Sequence, residues 1–233
     1  MRLIERSYSS KMLRPRPTVH AEPDGSLVII ATSWGAPEHA ARVSDEILKY
    51  VQAARADVEV TSPFEFLSCL SDEANYLRVA TMICNERFYR SDNRAEYTAG
   101  TELLVLAQNG AHLSYAQVGS PSLLIQRPGQ GLTPVAVEYE VSLQLSSPEE
   151  PALAPLPQTL LGIESSVNMR CGDLRVDRHD QIVVYAGSFW PETLWQNRNG
   201  KDGRQELNVL TANLAQRNPD APFWLGLIDL DQE

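Results

Sequence analysis

Residues 100–127 read GTELLVLAQNGAHLSYAQVGSPSLLIQR, and three strands follow one another in them. Thr101 to Ala107 is a β-branched and aliphatic run. Asn109-Gly110 is a hairpin turn, because both residues tolerate positive φ. His112 to Val118 alternates in polarity and predicts a second strand. Gly119-Ser120-Pro121 interrupts the chain, and Ser122 to Arg127 runs apolar again as Leu-Leu-Ile.

Upstream, Ile4 to Ser9 predicts a first strand, and the prolines of Arg14-Pro15-Arg16-Pro17 remove the N–H donors a ladder needs. Pro23-Asp24-Gly25 is a turn into a buried strand over Leu27 to Thr32. A helix is expected from Glu38 to Arg55, since Ala40, Val43, Ile47, Val51 and Ala54 step by three or four. His39, a lone histidine without a carboxylate cluster, reads as a surface helix residue. Asp57 to Thr61 reads as a linker. Ser62-Pro63 then reads as N-cap and first position of a second helix ending near Tyr89. Its stripe is Phe66, Leu70, Ala74, Leu77, Thr81 and Cys84, with Cys69 beside it as a core thiol.

Downstream, VAVEYEVSLQL over 135–145 alternates as a strand or strand pair. The proline-rich run SSPEEPALAPLPQ at 146–158 reads as an exposed, extended loop and a candidate docking segment, not a domain boundary. Strands are expected over Met169 to Val176 and Gln181 to Ala186, then a short helix from Pro191 to Trp195. A turn-rich loop at 199–203 follows. A third helix over Glu206 to Arg217 turns Leu207, Leu210 and Leu214 inward, and Phe223 to Leu230 closes the chain as a strand.

The chain has 233 residues, of which 43% are hydrophobic and 21% charged, which suits one domain spanning 1–233 with a large core. Its formal net charge of −10 argues against nucleic acid and anionic membranes as partners. No apolar run approaches the ~20 residues that cross a bilayer, and residues 1–17 have no apolar core of a signal peptide. Cys69, Cys84 and Cys171 lack CxxC spacing, which argues against a disulfide framework and a zinc site. A cytoplasmic protein is expected. No GxSxG elbow, P-loop or HExxH is present.

Five segments together resemble the metal-dependent PP2C-type (PPM) protein phosphatases. Gly100-Thr101-Glu102 stands where that family has Gly-Thr-Thr, and Val118-Gly119-Ser120-Pro121-Ser122 where it has Val-Gly-Asp-Ser-Arg. Asp180 to Trp190 is similar to the segment running from Asp through an apolar strand to Ser-Asp-Gly. Leu27 to Gly35 is similar to the strand that ends in Ala-Asp-Gly, and Leu160-Leu161-Gly162 to Ala-Leu-Gly. The resemblance implies an α+β, four-layer αββα sandwich, two antiparallel sheets face to face and flanked by helices, and a bacterial source.

The departures fall on the chemistry. The family's first acidic signature falls near Pro15-Arg16-Pro17. Its later aspartates fall on Thr32 (with Ser33 at the following glycine), on Ser120, on Gly187, and on Pro219 or Asp220. A pair of Mg²⁺ or Mn²⁺ ions needs clustered carboxylates, and Asp220 is the only remnant. The resemblance therefore implies a pseudophosphatase without metal, cofactor or catalytic residues. It would act as a regulatory or scaffold protein on a protein partner, a kinase or a phosphoprotein. The vestigial-site or partner-binding candidates are Thr32, Ser33, Trp34, Gly35, Gly119, Ser120, Gly187 and Ser188, with Arg14 and Arg16 as anion contacts. Trp34 is the candidate anchor. The competing expectation is a metal-dependent Ser/Thr phosphatase with relocated ligands, drawn from Asp220, Asp24, Asp45 and Asp180.

Overall fold

A computed structural model describes residues 1–9, 11–56, 62–141, 154–190, 195 and 203–230. The chain divides into two compact units, one of residues 17–119 and 159–176, the other of 1–16, 120–158 and 177–233. Each holds a five-stranded antiparallel sheet with helical cover, which makes the chain an α+β protein.

The first unit is built on β2 (Thr18–Ala21), β3 (Leu27–Gly35), β4 (Ala99–Asn109), β5 (His112–Val118) and β8 (Arg170–Arg175), in the order β2-β3-β4-β5-β8. β3 runs from Leu27 opposite Ala107 to Gly35 opposite Ala99. The β4–β5 turn is the expected hairpin, with Gly110 at φ +56°. Leu27 to Ala31 and Leu103 to Ala107 are buried on both faces, which is why these strands read as continuous apolar runs rather than alternating ones. Helix α1 (His39–Ala56) buries the expected stripe Ala40, Val43, Ile47, Val51 and Ala54 against the β3–β4 sheet.

Helix α2 (Asp72–Ser91) begins nine residues later than the sequence suggests. Ser62 caps only a local turn, accepting from the Phe64 N–H at 3.1 Å. Ser71 is the N-cap. Its Oγ accepts from the Ala74 N–H at 3.1 Å and donates to Asp173 at 2.6 Å, while its own N–H donates to Asp173 at 3.0 Å. Ser114 on β5 adds a 2.5 Å bond to the same carboxylate. A cap that is itself anchored to the sheet fixes where the helix starts. Burial pushes the Asp173 carboxyl up, but the bonds from Ser114 and Ser71 outweigh it and hold it below its ordinary range. Because residues 64–71 are outside the helix, Phe66 and Cys69 are exposed; the expected core thiol is a surface residue, and Cys84 is the buried one. His39 also departs from expectation. It is buried, with its ring 5.0 Å from that of Phe88, and burial lowers its pKa.

Three asparagines tie this helix to the loops around it. Asn75 exchanges bonds with the Leu67 backbone, N–H at 2.8 Å and carbonyl at 3.0 Å. Asn85 accepts from the Gly162 N–H at 2.8 Å and donates to the Glu164 carbonyl at 3.0 Å. Asn93 donates to the carbonyls of Ala99 at 2.8 Å and Gly162 at 2.7 Å. The Leu160-Leu161-Gly162 block is thereby held beside β4, where Leu161 bridges Thr101.

The second unit orders its strands β1-β10-β9-β6-β7: β1 (Arg2–Tyr8), β10 (Phe223–Asp229), β9 (Gln181–Gly187), β6 (Ser122–Gln126) and β7 (Leu132–Ala136). Helix α3 (Gly203–Arg217) buries Leu207, Leu210 and Leu214 against Tyr185, Phe223, Leu225 and Leu227. The strand expected over 135–145 is shorter: β7 ends at Ala136 and 137–140 leave the ladder. Ser122 pulls that segment back to β6, accepting from the Glu138 N–H at 2.9 Å. The linker at 57–61, positions 142–145, 146–153 of the proline-rich run, 191–194 and 199–202 lie outside the described residues. Among the described residues no helix is long and apolar enough to cross a membrane.

Candidate functional site

The candidates in the first unit cluster at the end of β3. Thr32 lies opposite Glu102, Ser33 opposite Thr101, Trp34 opposite Gly100 and Gly35 opposite Ala99. Thr32 and Trp34 share a face of the strand, so Trp34 is the diagonal neighbour of Glu102, within reach of a long side chain. Its indole N–H donates to Glu102 Oε2 at 2.9 Å. Glu102 is buried, and a buried carboxylate needs such donors. Thr32 is fully buried, Trp34 half-buried and Gly35 exposed, and Ser33 donates to the Ala36 carbonyl at 2.5 Å.

Gly119 is packed against the same carboxylate. It sits at φ +66°, and a Cβ there would stand 2.5 Å from the Thr159 carbonyl oxygen and 2.9 Å from Glu102 Cγ. The glycine of the Gly119-Ser120 turn is thus required by backbone conformation and by space.

In the second unit, Arg14 is buried, not a surface anion contact, and it pairs with Glu140, both side chains only 2% exposed. Ser188 donates to the other oxygen of Glu140 at 2.5 Å. Two residues singled out separately, Arg14 and Ser188, thus meet on one carboxylate. Arg16 is exposed and pairs with Glu5, which also accepts from the Trp224 indole at 2.7 Å. Ser120 is buried. At Gly187 a Cβ would stand 2.3 Å from the Tyr185 hydroxyl, so the position has no room for any side chain.

These donors do not fit a two-cation centre. Thr32 and Ser120 bring buried hydroxyls, and Gly187 brings nothing. The nearby carboxylates are engaged: Glu102 by the Trp34 indole, Glu140 by Arg14 and Ser188. Asp220 is 47% exposed and pairs with Lys11 at 3.3 Å. The relocated-ligand candidates are each engaged locally or exposed where they stand. Asp24 accepts from the Ser26 N–H in its turn at 2.9 Å, Asp45 is exposed on α1, and Asp180 accepts from the Asp177 N–H at 2.9 Å. Among the described residues no group of three or more His, Cys, Asp or Glu side chains could hold a metal ion.

The reading of the sequence missed the partners, Glu102 and Glu140. A signal existed for Glu102, the single charge inside the apolar run AGTELLVLA, because a charge there demands a buried donor. None distinguished Glu140 from Glu138 in the alternating VAVEYEV.

Similarity to solved structures covers nearly the whole chain. PppA, a key regulatory component of T6SS in Pseudomonas aeruginosa, matches with a TM-score of 0.62 at 17% identity, over 98% of this chain and 97% of that one. Serine/threonine phosphatase Stp1 from Staphylococcus aureus matches with a TM-score of 0.66 at 12% identity, over 98% and 94%. The PPM Ser-Thr phosphatase MsPP from Mycobacterium smegmatis matches with a TM-score of 0.61 at 15% identity, over 99% of both chains. No protein-family model matches the sequence, and no curated protein does. The chain has the PP2C-like fold.

Proposed function

We propose that this chain is a catalytically inactive PP2C-like protein, a pseudophosphatase that acts in a bacterial cytoplasm as a regulatory or scaffold protein by binding another protein. One observation carries the reading. Where the resembled phosphatases place metal-binding aspartates, this chain has Thr32, Ser120 and a Gly187 without room for a side chain, and the buried carboxylates beside the motif positions are committed to Trp34, Arg14 and Ser188. Charge that would balance two divalent cations is missing there. The likeness to PppA, which is a regulatory component of its own system, favours a regulatory role.

The partner surface in this reading is the end of β3, where Trp34 is half-buried and Gly35 exposed. An aromatic held by a hydrogen bond to a buried carboxylate is a rigid anchor, ordered before binding. The test is capture from extract of the source cells by immobilised protein. Pro37→Arg places bulk at an exposed position beside Trp34 and leaves the Trp34–Glu102 bond intact. The expected result is a protein retained in stoichiometric amount by the unaltered chain and lost with Pro37→Arg, at unchanged thermal stability. Equal retention by both, or no retained protein, contradicts the reading.

A further inference from the structure

A groove of about 380 Å³ lies just past the C-terminal end of α2, lined by Tyr89, Arg90, Asn93, Arg94 and Tyr97. Its chemistry is out of character for a chain of net charge −10. Arg94 is exposed and makes no ion pair or hydrogen bond among the described residues. Arg90, 74% exposed, is held only along its own helix, by Glu86 one turn back at 2.8 Å. An i, i+4 surface pair of that kind is weak and exchangeable. Tyr97 is 71% exposed. The acids nearest in sequence do not line the groove, and Asp92 is turned to Arg42 at 3.0 Å.

The floor of the groove is built in advance. Asn93 is buried, and its amide is spent on the loop that follows: it accepts from the Thr98 N–H at 2.8 Å and donates to the carbonyls of Ala99 and Gly162. The N–H groups of Asp92 and Asn93 both close on the Phe88 carbonyl, at 3.0 and 3.1 Å. The arginines and tyrosines therefore project from a fixed turn, and little ordering is left for binding to cost.

We infer that this groove is a docking site for an acidic segment, rich in Asp and Glu, of a partner polypeptide. Arginine forks match carboxylates bidentately, and two tyrosine rings beside them offer flat apolar area to the intervening residues. Its volume, about 380 Å³, is larger than one inorganic anion fills. The carbonyls that end α2 give this end of the helix a partial negative charge. That field disfavours the concentrated double charge of a phosphate more than carboxylates spread along a chain. None of the residues that line the groove belongs to the Trp34 surface, and the inference stands whether or not that surface binds a partner.

The probe is a fluorescein-labelled ten-residue peptide of alternating Glu and Gly, followed by anisotropy at 50 and 300 mM NaCl. A phosphoserine peptide of equal length and vesicles with anionic lipid are the comparison arms. Saturable binding to the Glu peptide is expected, weakened by salt. Arg94→Glu and Arg90→Glu should each weaken it by about tenfold or more, and Lys49→Glu, on the exposed side of α1, by less than about twofold. The positions are exposed, so melting temperatures should stay unchanged. No saturable binding up to about 1 mM, equal loss with Lys49→Glu, or groove-dependent binding of the phosphopeptide or vesicles in preference to the Glu peptide would overturn the inference.

Discussion

Arg14→Met lowers the unfolding free energy by about 3–5 kcal/mol, the cost of leaving one member of a buried ion pair without its partner. The guanidinium and the Glu140 carboxylate are both withdrawn from water, and Ser188 bonds to the same carboxylate. Methionine fills much of the arginine stem's volume, so the loss reports charge rather than a cavity. Adding Glu140→Gln to Arg14→Met removes the uncompensated charge and should restore roughly 1–3 kcal/mol. Urea unfolding of the wild type, the single variants and the double variant measures all of these. Losses that simply add would mean that Arg14 and Glu140 do not act as a pair.

Gly119→Ala is expected to cost about 2–4 kcal/mol, the sum of a left-handed conformation imposed on alanine and a clash that backbone cannot relieve. The added carbon would meet the Thr159 carbonyl oxygen at 2.5 Å. Gly110→Ala separates the two contributions. Gly110 also has positive φ, at +56°, but nothing lies within 4 Å of a Cβ there. Its cost should be about 1 kcal/mol, from conformation alone. Equal losses at the two glycines would mean that the turn at Gly119 relaxes away from Thr159.

The elements legible in the sequence are those whose local pattern and tertiary environment agree. The β4–β5 hairpin needed only Asn109-Gly110 between two apolar runs, and α1 shows its buried stripe as a plain three-and-four spacing. The start of α2 was not legible. Ser62-Pro63 and Ser71-Asp72-Glu73 are both good caps locally, and the decision rests on Asp173, 102 residues from Ser71 along the chain. β2 was not foreseen because Thr18 to Ala21 is a short edge strand with few apolar residues. At the candidate site the residue types at Thr32, Ser120 and Gly187 could be read directly. What fills the space around them could not, because Glu102 and Glu140 take their roles from partners brought close only by folding: Trp34 across two paired strands, Arg14 from a distant segment of the chain.

The measurement that bears most directly on this account is a calorimetric titration of the purified chain with Mn²⁺ and Mg²⁺, with hydrolysis of an aryl phosphate followed in the same samples. The account predicts no stoichiometric metal binding and no metal-dependent turnover, because the motif positions lack the carboxylates that hold and balance two cations. Tight binding of two ions per chain, with turnover that rises as they bind, would contradict it and would place a metal-dependent phosphatase on this fold.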